Sequence, residues 1–397
     1  LYFILGISIM NCTGCGLCAS ICPAHAIEMR PFDDVKDNKN FDYLQKVSVK
    51  ESEVNQTVKG TQFKRPLFEF SGACAGCGET PYIKLLTQLF GDRIAIANAT
   101  GCSSIYGASF PSIPYKLPWA NSLFEDNAEF GYGMLMSYNS NRNKEKTIME
   151  EEINSKNSEL IKKWLDNYDD YKTTKEVYDN LDYTDSKLKD LKEFIISRNV
   201  WIVGGDGWAY DIGFSGIDHI LCSNSNVKIL VLDTEVYSNT GGQSSKSSNR
   251  GSIAKFTSTG KENSKKDLAR IAMTYKNVYV AQISMANMNS VVKAFNEADK
   301  HNGPAIIIAY SPCINHGIRG GMKTGIEEQK LAVQSGYFPI FRYDSITNEF
   351  HMDSKNVDFS LLDNFIENET RFRALKIVNE EKAEKLFDEL KKDVKDR

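Results

Sequence analysis

The chain has 397 residues, 41% of them hydrophobic and 25% charged, a globular mixture with room for two or three domains at roughly 100–200 residues each. Lys+Arg 48 against Asp+Glu 52 leave a net charge of −4, so no basic field points to nucleic acid. No apolar run approaches the ~20 residues that cross a bilayer, and the nine cysteines are clustered and odd in number, which fits metal ligation better than an extracellular disulfide framework.

Leu1 to Met10 is apolar but has neither a basic region nor a small-residue cleavage site, so it reads as a strand leading into the first cysteine cluster and not as a signal peptide. The first residue is Leu, which suggests a chain that begins inside a longer gene product. Cys12, Cys15, Cys18 and Cys22, followed by Pro23, fit C-x2-C-x2-C-x3-C-P. Two-residue gaps let a tight loop wrap a cubane cluster, and Gly14 and Gly16 let backbone amides approach its sulfides. A zinc site would prefer two C-x2-C pairs separated by a longer loop. In two-cluster ferredoxins the fourth cysteine serves the other cluster, and no second such motif occurs here, so half of the module is expected upstream.

Residues 31–66 are polar and weakly patterned, a linker by texture. From Leu67 onward, runs at Ile94–Asn98, Val200–Val203, Lys228–Asp233, Val278–Ile283 and Ala305–Tyr310 read as buried strands alternating with helices. That pattern predicts an α/β fold, a mainly parallel sheet with helices on both faces, preceded by a partial α+β ferredoxin-like iron–sulfur module. Helix starts are expected at Thr80 with Pro81 and a stop at Gly91, at Asn289, and at a Thr324/Glu327 capping box. A charged segment over 140–198 reads as a surface helical insertion with Leu188, Leu191, Phe194 and Ile195 on one face, and the tail from Glu380 as an amphipathic helix with Leu386, Leu390 and Val394 inward. The expected domains are 1–32, the linker to 66, 67–345 with its insertion, and a C-terminal extension over 346–397.

A second constellation runs from Trp201 through Gly204, Gly205, Asp206 and Gly207 to Trp208, a strand entering a glycine turn before a helix. This turn delivers backbone amides to a phosphate but matches neither G-x-G-x-x-G nor a Walker loop. Downstream, Asp233 to Asn239 is rich in oxygen donors, which suit Mg²⁺ shared with phosphates. An ordinary βα turn is the plainer reading of Gly-Asp-Gly alone. With the oxygen-rich strand end one strand–helix–strand step away, a thiamine-diphosphate site is the better one.

At this point the residues resemble the pyruvate:ferredoxin (flavodoxin) oxidoreductases. The likeness rests on the runs Cys74–Pro81, Asn98–Ser103, Asn121–Gly131, Gly204–Gly213, Asp233–Ser245 and Cys313–Gly317. The resemblance implies that thiamine diphosphate decarboxylates pyruvate, that [4Fe–4S] clusters carry the electrons to ferredoxin or flavodoxin, and that coenzyme A takes the acyl group. By the same resemblance Cys74, Cys77, Cys102 and Cys313 hold the cluster nearest the thiamine, while Mg²⁺ sits on Asp206, the Thr234 hydroxyl and the Val236 carbonyl. Glu79, Cys102, Gly205, Asp206, Gly207, Trp208, Thr234, Glu235, Val236, Tyr237, Ser238 and Asn239 match cofactor-contacting positions, with Asn239 nearest the reacting centre. The carboxylate that activates the thiamine ring comes, in that family, from a domain absent here, so this chain alone is expected to be inactive.

The resemblance further implies a cytoplasmic or anaerobic-organelle homodimer, without membrane or nucleic-acid partners. Three alternatives stay open: a pyruvate:NADP⁺ enzyme with a fused flavin reductase, a non-oxidative decarboxylase with structural clusters, and a plain electron-transfer module. Cys222, beside Ile220 and Leu221, reads as a buried thiol. His219 and His316 are available as acid–base groups, and Thr240–Gly251 as a loop near the diphosphate.

Overall fold

The computed structural model describes residues 4–47, 57–107, 117–184 and 186–397. Among them, eight strands form one sheet in the order β2-β1-β3-β4-β6-β5-β7-β8. These are β1 Ile94–Ala99, β2 Trp119–Ser122, β3 Asn199–Gly205, β4 Val227–Asp233, β5 Tyr279–Ile283, β6 Ala305–Tyr310, β7 Phe341–Asp344 and β8 Glu349–Met352. The six strands from β2 to β5 pair in parallel, whereas β7 and β8 add an antiparallel edge. All seven residues of β4 and all six of β6 are buried, as a parallel strand covered on both faces requires.

Alternation along the strands splits the core in two. Val200, Ile202, Ile229, Val231, Ile306 and Ile308 face one layer, which includes Ile217 and Ile220 of the helix Phe214–Cys222. Trp201, Val203, Leu230, Leu232, Ile307 and Ala309 face the other, against the helices Thr80–Phe90 and Met288–Lys300. Helices therefore cover both faces, and the five strands read from sequence are all present within a residue or two.

Several local expectations need correcting. Ile4–Ser8 form no strand, and Ile9–Asn11 make only a 3₁₀ turn; Leu1–Phe3 lie outside the described residues. The polar stretch 31–66 carries short helices at Phe32–Val35, Lys39–Lys46 and Val58–Thr61, with 48–56 outside the described residues. Thr80 is the first residue of its helix and donates back to the Cys77 carbonyl. Asn287, not Asn289, caps the helix Met288–Lys300 by accepting from the Ser290 amide. Thr324 does precede the helix Gly325–Gln334, but its hydroxyl donates to the Gly321 carbonyl and forms no capping box. Cys222 is exposed, because it is the last residue of its helix and points away from the face that buries Ile220 and Leu221.

The charged segment is more than a surface helix. The helix Asn127–Glu151 extends out of the domain and, with Ser158–Asp166 and Tyr171–Asn180, encloses its own core of Met149, Ile161, Trp164, Val177, Leu188 and Ile195. Leu188, Leu191, Phe194 and Ile195 do not share one helix; Leu188 and Phe194 fall on two 3₁₀ turns, Leu191 between them and Ile195 just beyond, with Leu191 and Phe194 only half buried. The buried Arg142 ties this unit together by donating to the carbonyls of Phe194, Ile195 and Tyr168. Residue 185 lies outside the described residues. At the other end, the helix Glu380–Asp396 buries Leu386, Leu390 and Val394 as its pattern predicts, against the same core as the sheet.

Candidate active site

In a parallel sheet the loops leaving the C-terminal ends of the strands share one edge, and a crevice opens where successive connections diverge. Here β1 connects outward to β2 while β3 connects the other way to β4, so the divergence falls between β1 and β3. Cys102 follows β1, Asp206 follows β3, Thr234 to Val236 follow β4, and Cys313 follows β6. All four positions meet at this edge.

Three oxygens converge there. The Thr234 hydroxyl lies 3.0 Å from Asp206 Oδ1 and 3.0 Å from the Val236 carbonyl. Asp206 Oδ2 accepts from Ser245 and Ser247, each at 2.7 Å. Asp206 is buried and, among the described residues, has no ion-pair partner; burial, then the nearby Asp233, pushes its carboxyl well above the usual range, only partly opposed by the three hydroxyls. A buried carboxylate, a hydroxyl and a carbonyl form a hard, oxygen-only donor set lacking a positive charge. The set fits a divalent cation such as Mg²⁺.

The loop geometry depends on Glu235, a non-glycine residue at φ 60°. Glu235, expected from the resemblance among the cofactor contacts, buries its carboxylate among protein partners: it pairs with Lys265 at 2.9 Å and Arg371 at 2.7 Å and accepts from Asn249 and Tyr337. Both of its carboxylate oxygens are thus engaged by protein partners. Trp208 is likewise buried, lying close against Gly204 and Gly213 in a π-helical turn over Gly207–Ile212. Gly207 is required on packing grounds, since a Cβ there would sit 2.6 Å from Tyr237 Cδ1. Tyr237 donates to Asp211, and Asn239 is exposed at the rim. Gly205 has open space around it, suiting a close backbone approach.

The cysteines lie beside this cradle. Ser238 Oγ is 3.2 Å from Cys102 Sγ, and the loop of Cys74–Cys77 is tied to that of Cys313 by the Gly78 amide donating to the Pro312 carbonyl. Burial raises the thiols of Cys77, Cys102 (to about 12) and Cys313 (to about 11), and the Glu79 carboxylate adds to each. Cys74 also acts electrostatically on Cys102 and Cys313, which places the four in one neighbourhood. Among the described residues no three His, Cys, Asp or Glu side chains stand close enough for a single metal ion. A cubane differs, because each cysteine binds a different iron and the thiolates stand further apart. Glu79 is buried, accepts from Tyr106 at 2.8 Å, and is pushed up to about 7 chiefly by burial, with Asp206 adding to it.

Cys12, Cys15 and Cys18 are exposed and Cys22 half-buried around the helix Leu17–Ile21; Gly14 and Gly16 adopt φ +71° and +73°, the tight turns expected of them. Backbone amides, Ala26 first, lower the Cys22 thiol. This helix lies against the turn Met322–Thr324, which also closes on Gly76 between Cys74 and Cys77.

Of the two histidines, His219 is exposed on the helix Phe214–Cys222, its ring against Tyr132, and takes no part in the crevice. His316 is buried behind it, its Nε2 donating to the Thr234 carbonyl at 2.7 Å. Sequence reasoning missed Ser245, Ser247, Lys265, Glu369 and Arg371. Only the serines carried a signal, as part of the loop expected near a diphosphate.

Comparison with known proteins defines the class first. Residues 191–309 match the thiamine pyrophosphate enzyme C-terminal TPP binding domain, and residues 7–28 match a 4Fe-4S binding domain. The chain thus joins a thiamine-binding domain of α/β type to an iron–sulfur one.

Along its whole length the chain is a homologue of the pyruvate:ferredoxin and pyruvate-flavodoxin oxidoreductases. It is 45% identical over 434 residues to the pyruvate:ferredoxin oxidoreductase of Moorella thermoacetica, covering 100% of this chain and 37% of that protein. It is 44% identical to the pyruvate-flavodoxin oxidoreductase of Klebsiella pneumoniae, at 100% and 36%. The mitochondrial pyruvate dehydrogenase [NADP(+)] of Euglena gracilis is 41% identical, at 95% and 22%. The chain therefore spans little more than a third of the length of the first two of these relatives and about a fifth of the third. Among solved structures, a 2-oxoglutarate:ferredoxin oxidoreductase from Magnetococcus marinus aligns over 62% of this chain and 65% of its own, at 18% identity and TM-score 0.41. That likeness is too remote to bear on function. Among the described residues no helix is long and apolar enough to cross a membrane.

Proposed function

We propose that this chain is the thiamine-binding, electron-collecting part of an enzyme that converts pyruvate and coenzyme A to acetyl-CoA and carbon dioxide, passing electrons to ferredoxin or flavodoxin. One observation carries the reading: the oxygen cradle after β3 and β4 adjoins a cysteine group, with Ser238 touching Cys102 at 3.2 Å. A redox centre so close to a diphosphate site is of little use to a non-oxidative decarboxylase.

In this reading Asp206, the Thr234 hydroxyl and the Val236 carbonyl hold Mg²⁺, while Ser245 and Ser247 fix the carboxylate. Cys74, Cys77, Cys102 and Cys313 hold one [4Fe–4S] cluster, and Cys12, Cys15, Cys18 and Cys22 belong to the ferredoxin-type module. When bound, the thiamine supplies the electron sink for decarboxylation and the clusters accept electrons singly. Gly205 and Gly207 leave room for the diphosphate, Asn239 faces the rim where substrate enters, and the walls of Glu79, Tyr106 and Trp208 exclude water. Nine free cysteines suit a reducing compartment, cytoplasmic or organellar. Exposed Ile105, on the helix Cys102–Gly107, and exposed Leu123 and Phe256, on loops, support a second copy of the chain as partner.

The test uses the full-length protein under anaerobic conditions. Pyruvate with coenzyme A is expected to bleach the visible cluster absorbance, ferredoxin or flavodoxin to restore it, and Cys313→Ala to abolish the bleaching. Absorbance unchanged during carbon dioxide release would refute oxidative chemistry. Direct reduction of NADP⁺ would favour the arrangement of the Euglena relative.

A further inference from the structure

The fold brings a buried arginine from beyond the matched thiamine domain into the support of its strand-4 turn. Thr234 and Val236 face the same point only because Glu235, between them, takes φ 60°. That region is strained for a residue with a long side chain and is ordinarily left to Gly, Asn or Asp. What holds Glu235 there is its carboxylate. Oε1 meets Lys265 Nζ at 2.9 Å and Asn249 Nδ2 at 2.7 Å; Oε2 meets Arg371 Nη1 at 2.7 Å and the Tyr337 hydroxyl at 2.7 Å.

Lys265 is shared with Asp233, whereas Arg371 serves Glu235 and Glu369, whose Oε2 lies 2.6 Å from Arg371 Nε. Glu369 in turn stands 3.4 Å from His316 Nδ1, and His316 Nε2 holds the Thr234 carbonyl. The Arg371 carbonyl accepts from the Ile253 amide, in the segment that follows the serine loop. Glu235, Glu369, Arg371 and His316 are all buried, so none of these contacts is screened by water.

We propose that Arg371 is a positioning residue of the metal–diphosphate site: by clamping the Glu235 carboxylate it maintains the left-handed turn that aims Thr234 and Val236 at Asp206. The inference rests on the reading of those three oxygens as the Mg²⁺ site.

The test measures Mn²⁺ binding to the full chain in the presence of thiamine diphosphate, by the electron paramagnetic resonance of free and bound Mn²⁺. Because Arg371→Met alone leaves Glu369 without its arginine and Glu235 with Lys265 only, and so threatens folding, the comparison uses two charge-balanced double variants, Glu235→Gln/Arg371→Met and Glu235→Gly/Arg371→Met. The glutamine variant, left at a strained φ with only uncharged-side-chain hydrogen bonds to Lys265, Asn249 or Tyr337 and no ion pair to Arg371, is expected to bind about tenfold more weakly than the parent, the order of the left-handed penalty for a non-glycine residue. The glycine variant, which takes φ 60° unaided, is expected to bind nearly as tightly as the parent. A role confined to general stability predicts the opposite ranking, since glutamine keeps more of the packing. Parent-like binding by the glutamine variant, or equal losses in both, overturns the proposal. Asp206→Asn separates the two levels: Mn²⁺ binding unaffected by it, or no binding by the parent chain, overturns the site reading itself and the inference with it.

Discussion

The serines behind Asp206 provide a direct quantitative test of the cradle. Ser245 and Ser247 each donate to Asp206 Oδ2 at 2.7 Å, and their hydroxyls are 2.7 Å from one another. They fix the carboxylate plane so that Oδ1 is left for Thr234 and a cation. Replacing one serine with alanine removes a charge-assisted bond worth ~1.5–3 kcal/mol, but the survivor shares the same acceptor and re-aims, so the loss falls at the low end. The double variant Ser245→Ala/Ser247→Ala leaves Oδ2 buried with neither hydroxyl. Its cost is ~3 kcal/mol, about a hundredfold in affinity, matching the ~10–100-fold typical when groups orienting a metal ligand are lost. Calorimetric titration of the chain with Mg²⁺ at saturating thiamine diphosphate reads this directly. The expected order is about tenfold weaker binding for either single variant and about a hundredfold for the double. A double variant that binds as tightly as the parent would refute the claim that these hydroxyls orient the metal carboxylate.

Three further outcomes follow from other parts of the molecule. Gly207→Ala puts a Cβ 2.6 Å from Tyr237 Cδ1, so the ring must shift and its bond to Asp211 is lost; the expected destabilisation is ~1–3 kcal/mol by urea unfolding, with weaker thiamine diphosphate binding. Cys313→Ala is expected to lower the iron content by one cluster's worth, whereas Cys222→Ser, at an exposed helix end, leaves it unchanged; iron analysis of anaerobically purified protein decides. Lys228, buried in β4 and donating to the His301 and Gly303 carbonyls, is pushed down to about 7 by burial, with Asp299 only partly opposing. Between that value and the ordinary lysine value the unfolded chain holds more protons than the folded one, so stability rises with pH across this window. The rise is up to ~1.4 kcal/mol per unit. Relative to Lys228→Met, the parent should therefore gain stability from pH 7 to 9 in urea titrations; parallel curves would contradict the assignment.

The parts of the fold legible in sequence were those with a continuous physical signal. Strands β1, β3, β4, β5 and β6 are largely buried on both faces and so read as mainly apolar runs, with Asn98, Lys228 and Gln282 as polar exceptions. The edge strands gave no such run: β2 is half-exposed Trp-Ala-Asn-Ser, and all four residues of β8 are exposed. At the site, Cys102 and Cys313 were reached through the family resemblance, whereas motif spacing located Asp206 and Thr234, because a parallel sheet places every strand's C-terminal loop on one edge. It could not show that Glu235 points inward, since the direction of a side chain at φ 60° follows from the partners waiting for it. Those partners, Lys265, Tyr337 and Arg371, come from three separate segments, and a single sequence has no local pattern that pairs them. Cys222 was misjudged for a simpler reason: apolar neighbours do not decide which way the last residue of a helix faces.

The helices that follow β8 give the domain a different kind of boundary from the one similarity draws. Leu375, Leu386, Phe387 and Leu390 fill the same core as the sheet, and Gly251 and Gly260 pack directly against them. The stretch 191–309 is thus a unit of recognition that shares its core with segments outside it. Cut out alone, it would lose the part of this core that the C-terminal helices fill and leave Glu235 with Lys265 but without Arg371. A transplant of this cofactor site into another scaffold would have to carry the C-terminal helices with it, because inheritance by segment and stability by segment do not coincide here.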